Sequence, residues 1–379
     1  MLIRDVTHNN IVINEDVIKD LISTYEFQRL RKIKQLGLSY MVFPSAEHSR
    51  FTHSVGVYNM AKNFISAIEE NSDTTFNDND KLALLVASLL HDVGHGPLSH
   101  TSEEFFKFDH EDYSIKIILE ECTQINKVLK KYCPELIDDI VLYIQKKHPN
   151  KILNKILSGT IDIDRMDYLI RDSYHTGVEY GNFDYNRMVQ LIDVQDGELV
   201  YLEKGINTIE DFIMCRYHMF SQVYLNQRAI AYEKLARLIL ERTVKLYEDG
   251  YTFVTDLTIL RPFLEKEEVE TEKYVLMNDF VLLNIFDSFA RLEKDEILME
   301  LSLGFINQKI VSHKPESNSF YPLVCQSISK KIYNESVMIK EKDGSIKKLE
   351  DISQLVKFIA NELKIVTDER NYYLEKNAK

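Results

Sequence analysis

Between residues 89 and 100 the chain reads LLHDVGHGPLSH. Three histidines and an aspartate stand there among two glycines and a proline, at the end of KLALLVASLLHD (81–92). A helix on a protein surface shows one apolar stripe, so a segment apolar nearly all round predicts a buried central helix. Gly94, Gly96 and Pro97 break it directly after His91 and Asp92. Adjacent His and Asp side chains can both reach one cation where the backbone opens, and Gly94 is read as supplying that freedom.

Working outward, FTHSVGVYNMAKNFISAI (51–68) has apolar residues three and four apart and predicts a helix that packs on the first, carrying His53 to the same point. A fourth ligand is offered by GTIDIDRMDYLIRD (159–172), where Asp164, Tyr168 and Asp172 share one helical face. The ordinary reading of Asp162, Asp164, Asp167 and Asp172 is a solvated acidic face, yet Ile163, Met166, Leu169 and Ile170 alternate with them, so part of it meets protein. Two imidazoles and two carboxylates suit Mn²⁺, Fe²⁺, Mg²⁺, Ni²⁺ or Zn²⁺, with positions left for water and a phosphate oxygen. Five of the 11 histidines (His53, His91, His95, His100, His110) fall in this stretch. One imidazole on an apolar helix is more often a satisfied core residue, but burying several together is costly unless something pairs with them.

The rest of the chain sets the frame. With 12 Gly and 7 Pro in 379 residues, and long runs of Leu, Ile, Lys and Glu, the fold class is mainly α: a helical core with small β-hairpins and an α+β C-terminal region. A net charge of −14 argues against general nucleic-acid affinity but leaves room for a phosphate ligand held by a few Arg and Lys. Cys122, Cys133, Cys215 and Cys325 form no CxxC pair and read as reduced thiols. No apolar run approaches the roughly 18 residues of a membrane span. MLIRDVTHNN is followed by no signal-peptide core, so a cytoplasmic chain without membrane association is expected.

A helix is predicted over 16–36, ending at Gly37, and Asp80 is predicted to cap the central helix. Further helices are predicted over 110–131, 134–147, 161–173, 183–193 and 207–248, with hairpins at Asp196-Gly197 and Asp343-Gly344. A change of texture near 250–265 divides a core at 1–260 from a region at 261–379, expected to pack on that core and to contribute to oligomerisation.

The pattern H…HD…D is that of the HD domain. FQRLRKIKQLGLSYMVFPSAEHSRFTHSVGV (27–57), HDVGHGPLSH (91–100), FDHE (108–111), IDIDRMDYLIRDSYHTG (161–177) and FDYNRM (183–188) occur in that order. Together they closely resemble the deoxynucleoside triphosphate triphosphohydrolases that include the dGTPases and the vertebrate sterile-alpha-motif/HD-domain enzyme, without room for a sterile-alpha-motif domain before the HD region. The resemblance implies a divalent-metal site at His53, His91, Asp92 and Asp164. It implies phosphate contacts from Arg50, Arg165, Tyr168 and Arg216, with Arg165 standing where many relatives have Lys. His95, His100, His110 and Glu103 stand where the family keeps its acid–base group, Glu103 in place of a common Asp. Of these, His100 is expected to protonate the departing 5′ oxygen. Gln35 and Asp172 would grip the 3′ hydroxyl, and Leu36 and Tyr224 would pack on the deoxyribose.

Gln28 and Arg31 match residues that bind an activating nucleotide in some relatives, although Ser23 replaces the Asp that reads guanine there. A homodimer or homotetramer is expected on the same analogy. The substrate implied is a deoxynucleoside triphosphate, split into deoxynucleoside and triphosphate. The alternatives are an HD phosphohydrolase acting on a monophosphate, a ribonucleotide or a nucleic-acid end, and a nucleotide-binding scaffold with little activity.

Overall fold

A computed structural model describes residues 1–265, 268–315 and 320–375; the parts of the 261–379 expectation at 266–267, 316–319 and 376–379 lie outside them. Helix dominates, as the composition predicts. Seven helices build the site: α1 (Arg50–Asn71), α2 (Asp78–Leu90), α3 (His100–Phe106), α4 (His110–Leu119), α5 (Ile163–Thr176), α6 (Ile206–Met219) and α7 (Gln227–Glu248). From Ala83 to Leu90 every residue of α2 is buried, as its all-round apolarity requires. α1 packs against both α2 and α5.

Several expected helices are interrupted, each time at one short polar side chain. The helix foreseen over 16–36 is two helices, Asp16–Ile22 and Tyr25–Arg29, because Thr24 caps the second by accepting from the Phe27 amide. The 110–131 segment divides at Thr123, which accepts from Asn126 N at 3.0 Å. The 207–248 segment divides at Asn226, which accepts from the amides of Arg228 and Ala229. Before that break, Phe220–Tyr224 forms a π turn on the end of α6. The cap of α2 is Asn77, not Asp80: the Asn77 carboxamide oxygen accepts from Asp80 N at 2.8 Å. Helix α3, a helix at Lys151–Ser158 and an N-terminal hairpin (Leu2–Asp5 with Asn9–Val12) add to the elements foreseen.

Both predicted hairpins form. At the first, Asp196 and Gly197 have φ of 53° and 76°, the left-handed pair that a two-residue turn requires. The two hairpins also join: Tyr201 pairs with Ile339 in parallel, giving one four-stranded sheet across Ile192–Gln195, Glu198–Leu202, Met338–Lys340 and Ile346–Lys348. The apolar core continues from the helices into the region after 260, through Phe263, Tyr274, Phe286 and Leu323. No helix among the described residues is long and apolar enough to cross a membrane.

Candidate active site

The end of α2, the second turn of α1 and the start of α5 meet at four side chains. His53 Nε2 lies 3.0 Å from Asp164 Oδ1 and 3.7 Å from Asp92 Oδ2. His91 Nε2 lies 3.4 Å from Asp92 Oδ1 and 3.6 Å from Asp164 Oδ1. Both Nε2 atoms are buried and lack an aligned hydrogen-bond partner. Each ring is fixed through its other nitrogen, His53 Nδ1 to Asp167 at 2.9 Å and His91 Nδ1 to the Ser88 carbonyl at 2.9 Å. Two imidazoles anchored from behind, with orphaned nitrogens converging on carboxylate oxygens, fit a divalent cation. Burial alone would lower the His53 pKa, but the adjoining carboxylates of Asp164 and Asp167 outweigh it and carry it to about 10. Without a cation, a proton therefore takes its place.

Asp167 is not a surface acid. It is fully buried and takes His8 Nε2 at 2.6 Å, His53 Nδ1 at 2.9 Å and Arg171 Nε at 2.8 Å. The spacing that puts Asp164 at His53 Nε2 puts Asp167, one turn on, at Nδ1. Gly56 makes this approach geometrically feasible, since a Cβ there would stand 2.0 Å from Asp167 Oδ1. Gly94 likewise serves proximity. Its φ is not left-handed, but a Cβ would meet the His110 carbonyl at 2.2 Å, and its amide donates to Ser114 Oγ at 2.9 Å. The glycine thus seats the loop after Asp92 against α4, a correction to the expectation of backbone freedom.

A second group of titratable side chains adjoins the first. Glu103 on α3 faces three imidazoles: His95 Nδ1 at 2.8 Å, His100 Nδ1 at 2.9 Å and His110 Nδ1 at 3.1 Å. The His95 and His110 rings stack at 3.8 Å, and His95 Nε2 lies 3.4 Å from Asp92 Oδ1, which links the two groups. Burial and the nearby Arg50 lower the His95 pKa to about 4, so that ring is neutral at neutral pH. Burial opposes protonation of His110 too, but Glu103 and Asp92 outweigh it and raise its pKa. The three histidines hold Glu103 ionised, well below the usual carboxylate range despite its desolvation. His100 is the exposed member, its side chain 71% accessible.

The loop that delivers these groups is strained. Leu98 and Ser99 both have positive φ, 55° and 51°, which costs of order 1–3 kcal/mol each. Buried Asp279 holds the loop there by accepting from Leu98 N at 2.7 Å, and it also takes Lys34 N at 2.8 Å. Buried Arg29 donates to the carbonyls of Val93 and His95 at 2.9 and 2.8 Å. Neither residue was foreseen. Arg29 gives no sequence signal, since it stands among Gln28, Arg31 and Lys32 as one of several polar side chains, and Asp279 gives none because only the fold brings it back.

The remaining predicted residues divide by neighbourhood. Arg50 donates to Asp92 at 2.6 Å and to Ser99 Oγ at 3.0 Å. Arg165 is drawn to Asp162 and the Gly159 carbonyl. It lines a cavity of about 320 Å³ with His91, Asp92, His110 and Asp164. Arg216 is buried beside Tyr168 and donates to the Ile332 carbonyl at 2.7 Å. On the other flank, Asp172 is already engaged: His48 Nε2 lies 2.7 Å from one oxygen, and Tyr224 donates to the other at 2.8 Å. Gln35 joins that flank through its amide, which donates to the His48 carbonyl at 3.0 Å, while its side-chain oxygen is buried and unpaired. Leu36 is half-buried against the core. Gln28 and Arg31 lie apart from both histidine groups. Arg31 donates to Gln28 at 2.8 Å and covers the Phe51 ring, and Gln28 donates to the Ile22 carbonyl at 2.7 Å.

With this geometry in view, comparison with known proteins is informative. Residues 50–172, which run from Arg50 to Asp172 and hold all four candidate ligands, match the HD domain. YwfO of Bacillus subtilis is 38% identical over 310 residues, 82% of this chain and 71% of that protein. The chain belongs to the HD-domain family. Within it, the deoxynucleoside triphosphate triphosphohydrolase SAMHD1 homolog of Dictyostelium discoideum is 34% identical over 240 residues, 60% of this chain and 46% of the relative. This HD-domain protein therefore spans less than half of that relative. The crystal structure of a phosphohydrolase from Bacteroides thetaiotaomicron superposes over all of both chains, with a TM-score of 0.85 at 28% identity.

Proposed function

We propose that this HD-domain phosphohydrolase is a metal-dependent dNTP triphosphohydrolase, cleaving dNTP to deoxynucleoside and inorganic triphosphate. The observation that carries the reading is the shared edge at Asp92, where the His53–His91–Asp92–Asp164 set meets the His95–His110–Glu103 group at 3.4 Å. A phosphoester attacked at such an edge has a place for charge neutralisation and a place for proton transfer side by side.

His53, His91, Asp92 and Asp164 would hold the divalent ion, which when bound supplies Lewis-acid polarisation of a phosphoryl oxygen. The chain's own residues do the rest. Glu103 stands at the Nδ1 side of all three imidazoles, so that His100 and His110 can turn Nε2 toward substrate while His95 Nε2 faces Asp92. His95, neutral, can accept a proton, while His110 and His100 are the donors available to the departing 5′ oxygen, His100 being the one that solvent can recharge. Arg165, Arg216 and Tyr168 supply the donors for the polyphosphate, Arg as planar forks that match phosphate oxygens. Gln35, Leu36, Asp172 and Tyr224 form the flank assigned to the sugar. The Gln28–Arg31 pair is the proposed seat of an activating nucleotide, in a homodimer or homotetramer working in the cytoplasm.

One observation favours a second reading, a phosphohydrolase of another nucleotide: both oxygens of Asp172 are taken, by His48 and Tyr224. The test is chromatography of products from each dNTP, NTP and monophosphate with Mn²⁺ or Mg²⁺, beside an Asp92→Ala control. Deoxynucleoside plus triphosphate, absent in the control, is the expected result. Turnover of monophosphates or ribonucleotides alone would replace it with the second reading.

A further inference from the structure

The region after residue 260 was expected to pack on the core and contribute to oligomerisation. It also sends one short segment over the basic end of the candidate site. Residues 328–330 are pinned on one side: Ser329 and Lys330 pair antiparallel with Val366 and Ile365, and Ile328 and Thr367 exchange hydrogen bonds at 3.0 Å. Two residues further on, the Ile332 carbonyl accepts from Arg216 at 2.7 Å, and at 2.9 Å Thr160 donates to the Glu335 carbonyl. The segment is therefore held on one side by residues 365–367 and tied at two places to the wall that carries Arg165 and Arg216.

Lys330 is the side chain this places beside them. Its Nζ stands 4.2 Å from the centre of the Phe220 ring, and the Arg216 guanidinium stands 5.7 Å from the same centre. Among the described residues neither cation has a carboxylate within ion-pair distance, whereas Arg165 has Asp162. Arg216 is 92% buried, and its Nε is a buried donor with no partner. Two like charges that share one aromatic ring repel each other, and a desolvated guanidinium with an empty donor is costly. An anion between them would answer both. Arg165 and Tyr168 are electrostatic neighbours of Asp164 and of Arg216, and Lys330 is a neighbour of both arginines. Lys330 thus joins the cluster of cations that adjoins the candidate metal ligand Asp164.

We propose that Lys330 is a substrate-binding residue, joining Arg216 on the end of the polyphosphate remote from the sugar, so that the C-terminal region completes the active site. This rests on the reading of the substrate as a triphosphate. It also explains why Arg216 takes a main-chain carbonyl from the same segment: Ile332 aims the guanidinium while Lys330 supplies the second charge. Partial burial, then the proximity of Arg216 and Arg165, lower the Lys330 pKa, a cost that a bound phosphate would offset.

The experiment has two arms on the full chain, using Lys330→Gln and Lys330→Arg. In the first, direct titration measures binding of inorganic tripolyphosphate. In the second, steady-state kinetics measures KM and kcat for a dNTP. Lys330→Gln is expected to weaken tripolyphosphate binding and raise KM by about tenfold each, the loss of one charge-assisted contact, with kcat within about twofold and an unchanged melting temperature. Lys330→Arg should restore both. Unchanged tripolyphosphate affinity and KM in a folded Lys330→Gln protein would overturn the proposal. If the wild type turned over no dNTP, yet Lys330→Gln still weakened tripolyphosphate binding, the cation's role would stand and the dNTP reading would fall.

Discussion

The two halves of the candidate site are built in opposite ways. In the metal half each imidazole has its own anchor, Asp167 for His53 on the long helix α1 and the Ser88 carbonyl for His91 at the C-terminal end of the buried helix α2. In the acid–base half one carboxylate, Glu103, serves three imidazoles, on a seven-residue helix that begins at a strained turn. Separate anchors fix geometry that a cation will not tolerate losing. A shared anchor couples three protonation states, so that a proton gained by one ring changes the hold on the other two. The metal half is made for position and the other half for exchange.

Removing a ligand should break the comparison most severely. Asp92→Ala takes away the side chain common to both halves, and hydrolysis is expected to fall by about 10³-fold or more, with loss of bound metal by elemental analysis. Glu103→Ala should leave metal content intact while lowering single-turnover rates by about 10²–10³-fold. If Glu103→Ala instead released the metal, the division into two halves would be wrong. Asp167→Asn is expected to weaken metal affinity by about 10–100-fold, with kcat largely regained at saturating metal.

Proton competition sharpens the picture further. Without a cation His53 keeps a proton up to about pH 10, so binding the ion must displace it. Metal affinity should therefore rise with pH across the neutral range, by about tenfold per unit for one displaced proton, and calorimetry in buffers of different ionisation enthalpy should register the release. The smallest effect belongs outside both halves. Asn77→Ala removes the cap of α2 and should cost about 1 kcal/mol in denaturant unfolding while leaving kcat unchanged.

What the sequence made legible follows the same division. The positions of His53 and Asp164 were readable because periodicity fixes which side chains share a helical face, and those of His91 and Asp92 because the all-round apolar helix breaks directly after them. Helix ends were harder. Thr24, Thr123 and Asn226 each stop an apolar pattern that continues on the far side, so one hydrogen-bonding side chain overrode the periodicity. That part of the 162–172 acidic face meets protein was readable, but not that Asp167 is the buried member, because nothing local distinguishes an acid that meets His8, His53 and Arg171 from one that meets water. Asp279 and Lys330 could not be placed at all, since each reaches the site only through the return of the chain after residue 260.

The π turn at Phe220–Tyr224 carries a consequence for how this flank changes over time. A π turn is an α-helix that has absorbed one additional residue. Taking one residue out would restore the regular spiral and confine the change to the turn itself, the chain on either side keeping its place. Tyr224, inside that turn and now bonded to Asp172, would be re-aimed, while Arg216 upstream kept its place. An insertion or deletion of a single codon could therefore re-aim the flank assigned to the sugar while sparing the one assigned to phosphate, a route to new selectivity that no point substitution at either site provides.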